Sequence, residues 1–101
     1  MGRWQRWKEW WTEPNYRELA NKRIKSVRQT TQMHHGTNPE VVRPLEAERL
    51  KSDIQAYAEQ GGKHAYKRAL ALWQISKALY SEWISDEDKP TFVPEYWEMA
   101  D

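Results

Sequence analysis

Residues Ala65 to Ile84, AYKRALALWQISKALYSEWI, decide how this chain folds. Their apolar residues recur at helical spacing on two adjacent stripes. Ala65, Ala69, Leu72, Ser76, Leu79 and Trp83 form one, and Tyr66, Leu70, Trp73, Lys77, Tyr80 and Ile84 form the other. One stripe serves one partner helix, whereas a surface this wide needs two. The stretch is therefore expected to be the helix around which the others pack.

Upstream, Gly61-Gly62 closes a preceding helix that is predicted to open at Pro44 and to line one face with Ala47, Leu50, Lys51, Ile54, Tyr57 and Ala58. Two helices this close in sequence form a tight antiparallel hairpin. Met33 to Pro44, MHHGTNPEVVRP, breaks the pattern with a glycine and two prolines and reads as a long loop, from which Val41-Val42 can tuck into the core. Before it, Asn15 is placed to cap a helix, with Glu18 three residues on, and the stripe Tyr16, Leu19, Ala20, Ile24, Val27, Thr31 predicts helix from Tyr16 to about Gln32. With no alternating run that reads as a strand, the fold class is all-α, a small three-helix bundle.

Both ends differ from this core. Arg3 to Trp11, RWQRWKEWW, places Trp4, Trp7, Trp10 and Trp11 within an arc of roughly 120° if helical, and Pro14 stops the pattern. After the charged turn Ser85 to Pro90, the segment to Asp101 carries Phe92, Val93, Tyr96, Trp97 and Met99 among acids, and Pro94 could open one last helical turn. The expected organisation is a Trp-rich amphipathic arm (1–13), a helical core (14–85) and an acidic, aromatic tail (86–101).

A chain of 101 residues can close one core but not two. Seven Trp and five Tyr at a mean hydropathy of −1.07 leave few other large apolar side chains, so the aromatics must carry much of the packing. The formal charge is only +1, but it is unevenly spread: Met1 to Arg28 carries a net +5, and Glu82 to Asp101 a net −6. Lack of cysteine excludes disulfides and thiolate metal sites. No run approaches the roughly 18 to 20 apolar residues of a membrane span, and the basic start lacks an apolar signal-peptide core. Met1-Gly2 lacks the downstream Ser or Thr of a myristoylation signal, since position 6 is Arg. A cytoplasmic location, or one inside an intracellularly assembled complex, is expected.

The four N-terminal tryptophans can bury about 600 to 1,000 Å² together, more than a soluble monomer ordinarily leaves exposed. Either they fold over the bundle or they dock on a partner, and tryptophan suits both tasks. A membrane-surface role fits less well, because the segment is short and contains Glu9. Phe92, Tyr96 and Trp97 offer a second anchor. Arg17, Lys22, Arg23, Lys25 and Arg28 could instead track a nucleic-acid backbone, but a charge run of this kind is usually an ordinary solvated face, and a sequence pI near 8.0 with an acidic tail argues against a dedicated phosphate binder.

No catalytic motif is present. Glu46 and Glu48 cannot share a helix face, no glycine-rich phosphate loop occurs, and His34, His35 and His64 match no metal-ligand spacing. The Tyr16-Arg17 pair resembles part of the motif of the small helical LYR-type accessory proteins, but Asn15 stands where that motif has leucine, so no residue role is carried over. The expected function is non-enzymatic, with no cofactor, metal or small-molecule substrate. The chain reads as an accessory or structural subunit that docks on a protein partner or on itself, as in a viral particle or multisubunit complex. A nucleic-acid-binding module and a small inhibitor of a host enzyme are the alternatives.

Overall fold

The computed structural model describes residues 15–91. Three helices, α1 (Tyr16–His35), α2 (Pro39–Glu59) and α3 (Lys63–Leu79), are followed by a 3₁₀ turn at Asp86–Asp88, and no strand occurs among the described residues. The protein is a small all-α three-helix bundle. Arg23 of α1 meets Asp53 of α2, and Arg28 faces Glu46, so these helices run antiparallel. Arg43 near the start of α2 reaches Leu79 at the end of α3, so that pair is antiparallel too. Tyr16 and His64, each at the start of its helix, are hydrogen bonded, which makes α1 and α3 parallel.

Helix α1 starts where the sequence indicates. Asn15 is extended and its side-chain oxygen accepts the Glu18 amide at 3.1 Å, filling one of the donors that the first turn leaves open. The helix runs on to His35, past the expected end near Gln32. Gly36 stops it at φ 87°, with its N–H bonded to the Gln32 carbonyl at 2.9 Å. No atom lies within 4 Å of where its Cβ would stand, so backbone conformation and not space calls for glycine here.

The expected long loop from Met33 to Pro44 therefore shrinks to Gly36, Thr37 and Asn38. Pro39, not Pro44, opens α2. Asn38 is extended, as a residue before proline must be, and its side chain accepts the Glu40 amide at 3.1 Å. Pro44 lies inside the helix. The donor it lacks would have met the Glu40 carbonyl, and because Glu40 is exposed in the first turn, water can take that place. Val42 is buried and Val41 stays 46% exposed.

Gly61 (φ 80°) and Gly62 (φ 89°) make the turn into α3, two successive positive-φ positions that suit glycine. Helix α3 touches both other helices more extensively than they touch each other, as the two-stripe pattern implies. It ends at Leu79, however, and not at Ile84. Tyr80 leaves the helix at φ −126°, ψ 46°, and a separate turn closes when the Ile84 amide bonds the Tyr80 carbonyl at 2.8 Å. Tyr80 and Ile84 are still buried, but from this turn, while Leu79 is 47% exposed.

The core joins Ala20, Ile24 and Val27 of α1 to Ala47, Leu50 and Ile54 of α2 and to Ala69, Leu72 and Trp73 of α3. Ala47 and Ala69 are fully buried, and such small residues let helix axes approach closely. The Trp73 indole donates to the Ser85 carbonyl at 3.0 Å, and the Lys77 and Lys89 ammonium groups lie 5.2 and 5.7 Å from the centre of its ring. These contacts, with the Lys77–Asp86 ion pair, tie the segment after α3 back onto the bundle.

Candidate docking site

The basic residues of α1 do not form one uniform face. Arg23 makes a forked pair with Asp53 of α2, Nε to Oδ2 at 2.8 Å and Nη2 to Oδ1 at 3.1 Å, with both side chains part-buried. That hydrogen-bonded carboxylate raises the arginine's pKa further, against the opposing effect of burial. Lys22 pairs along its own helix with Glu18 at 3.4 Å, and the Arg28 Nε lies 4.0 Å from Glu46 Oε1. Arg17 and Lys25 are exposed and make no ion pair among the described residues. The helix thus spends three of its five candidate phosphate contacts on carboxylates.

Among the described residues Glu46 is the buried charged side chain. Its side chain is 3% exposed, and Oε1 accepts the Tyr80 hydroxyl at 3.3 Å. The second oxygen, Oε2, has no hydrogen-bond partner among the described residues. The Arg43 guanidinium lies 4.9 Å from the Tyr80 ring centre and 5.8 Å from that of Trp83, and its Nη2 donates to the Leu79 carbonyl at 2.6 Å. Arginine so placed serves a helix C-terminus, whose last carbonyls lack helical partners. Burial, reinforced by the nearby Glu46 charge, pushes the Tyr80 pKa above its ordinary value, so near neutral pH the phenol is a hydrogen-bond donor and not a base. The cluster joins all three helices.

Sequence reading placed Glu46 off the Glu48 face but did not single it out. A signal was there: Val42, Glu46, Leu50 and Ile54 share one stripe, so Glu46 occupies an apolar position. Arg43 and Tyr80 carried no such signal, since their meeting depends on α2 and α3 lying side by side.

Between α1 and the end of α3 runs an open groove of about 480 Å³, with Ile24 and Leu79 as its apolar residues and Lys25, Arg28 and Gln32 among its polar ones. A second groove, of about 620 Å³, lies between α2 and the segment 87–91, with Glu48, Glu59, Glu87 and Asp88 outnumbering Lys51 and Lys89. Among the described residues the exposed large aliphatics are Met33, Val41, Leu45 and Leu79, each at least 40% exposed. Trp4, Trp7, Trp10, Trp11, Phe92, Tyr96 and Trp97, the expected partner anchors, lie outside the described residues.

The histidines do not converge. The Tyr16 hydroxyl and His64 Nδ1 are 2.5 Å apart and hydrogen bonded, while His34 and His35 meet edge to face with ring centres 6.5 Å apart. Among the described residues no group of three or more His, Cys, Asp or Glu could hold a metal ion, and no helix is long and apolar enough to cross a membrane. Compared with family models, curated proteins and solved structures, the chain matches none.

Proposed function

We propose that the chain is a non-enzymatic docking protein, a small accessory or structural subunit of a larger assembly such as a viral particle or a multisubunit complex. The observation that carries this reading is what remains after the bundle has closed. Most of the apolar residues of the three helices are used on one another, yet among the described residues Met33, Val41, Leu45 and Leu79 stay exposed on a surface that is otherwise mainly polar and charged. Exposed aliphatics on a polar surface suit an interface. Trp4, Trp7, Trp10 and Trp11 would add the aromatic anchors that dominate binding energy.

Two further observations support binding over catalysis or phosphate recognition. Among the described residues the groups with displaced pKa values, Arg23, Tyr80 and Asp86, sit in three separate structural pairs and do not converge in one cleft, as acid-base machinery would. The Arg23 guanidinium is held by Asp53 and Arg28 faces Glu46, which reduces what α1 could offer a nucleic-acid backbone.

The test compares the full chain with a variant carrying Trp4→Ala, Trp7→Ala and Trp11→Ala, by light scattering and circular dichroism. Lost association with unchanged helical signal is the expected result. Loss of helix would make those tryptophans part of the core and remove the anchor from this reading.

A further inference from the structure

We infer that one partner is a second copy of this chain, docked head to tail, with the outward stripe of α2 from one copy lying in the groove between α1 and α3 of the next. The inference rests on the docking reading and names its partner. Val41, Leu45, Glu48, Ser52 and Glu59 recur at helical spacing on one face of α2 and all are exposed, the last three along the open groove that segment 87–91 flanks. Val41 and Leu45, one turn apart and 46% and 40% exposed, give that stripe an apolar end. Glu48 and Glu59 make the rest of it acidic.

The groove has the complementary character. Leu79, 47% exposed, supplies an apolar wall above the buried Ile24, and Lys25 supplies positive charge beside Arg28, which already faces Glu46, with no carboxylate lining the groove among the described residues. A helix laid in such a groove would set Val41 and Leu45 against Leu79 and bring Glu48 to Lys25. Glu48 makes only an exposed pair with Lys51 at 3.3 Å, which is cheaply exchanged. With a formal charge of +1, copies of the chain barely repel one another.

Stripe and groove share no residue and lie on different helices, so one copy can use its stripe on one neighbour and its groove on another. Such a contact is heterologous, and its repetition yields a ring or an open filament.

Charge reversal tests this in the full chain, by sedimentation and light scattering across protein concentration and salt. Lys25 and Glu48 are exposed, so Lys25→Glu and Glu48→Lys are expected to keep the helical signal of the native chain. Each variant alone is expected to self-associate about tenfold or more weakly than the native chain, because like charges then face each other. An equimolar mixture of the two is expected to recover association, since each reversed groove meets a reversed stripe on the other variant. Added salt is expected to weaken the native association.

A native chain that stays monomeric overturns the inference, as do single reversals without effect or a mixture that fails to recover. The tryptophan variant, run in parallel, separates the two proposals. Association lost in that variant but untouched by charge reversal would leave the docking reading standing and remove the stripe-in-groove contact.

Discussion

Two arginine–carboxylate pairs join α1 to α2, and they are built in opposite ways. At Arg23–Asp53 both partners are part-buried, and two parallel bonds of 2.8 and 3.1 Å form. At Arg28–Glu46 the carboxylate is 3% exposed and the arginine 55% exposed, and the gap is 4.0 Å. The first pair supplies its own hydrogen bonds. The second leaves a buried charge whose hydrogen bond comes from a third element, the Tyr80 hydroxyl. A forked pair at the edge of an interface stabilises through its geometry, whereas a carboxylate inside a core depends on every donor it retains.

The largest expected effect is on the buried side. Tyr80→Phe removes the hydrogen bond to Glu46 and is expected to cost about 2–3 kcal/mol in denaturant unfolding, while Arg23→Met, at the part-exposed pair, is expected to cost about 1 kcal/mol. The reverse order would break the comparison. Glu46→Met combined with Tyr80→Phe sharpens it, because the pair is then replaced as a whole and no buried hydroxyl is left without its acceptor. The double variant is expected to lose less stability than Tyr80→Phe alone, and a larger loss would show that the carboxylate is better satisfied than its contacts indicate.

A smaller effect is read in alkali. The folded Tyr80 pKa lies above its ordinary value near 10, so the folded state holds its proton more tightly than the unfolded chain does. The stability this contributes is present below about pH 10 and is lost as pH rises through the folded value. The alkaline fall in stability is expected to be shallower in Tyr80→Phe, and an unchanged slope would assign it to other groups. The smallest effect is at Lys77–Asp86, where the lysine holds the Asp86 pKa below the ordinary carboxylate range. Its contribution is present above that range and lost as pH falls through the depressed value. Both groups are substantially exposed, so Lys77→Ala is expected to change acid stability slightly in low salt and not at all in high salt.

Periodicity made much of this fold legible. The stripe Ala47, Leu50 and Ile54 is buried as its spacing implied, and Asn15 caps α1 as expected, although the Glu18 carboxylate pairs with Lys22 and does not return a capping-box bond to Asn15. These features depend on residues within a few turns of each other. Pro39 and Pro44 were harder to separate, because each fits a first helical turn. The Asn38 side chain on the Glu40 amide places the start at the earlier one. Of the candidate site, the basic composition of α1 was legible, but the diversion of Arg23 and Arg28 to carboxylates on α2 was not.

By itself the sequence determined three helices, the glycines that separate them, and a charge that changes sign along the chain, because helical period and backbone freedom are local properties. Only the tertiary structure decided that α3 stops at Leu79, where Arg43 from another helix takes its carbonyl, and that Glu46 is buried beneath Tyr80. Both outcomes join groups more than 30 positions apart. Helical spacing within one element carries no information about which residue of another will supply the missing hydrogen bond.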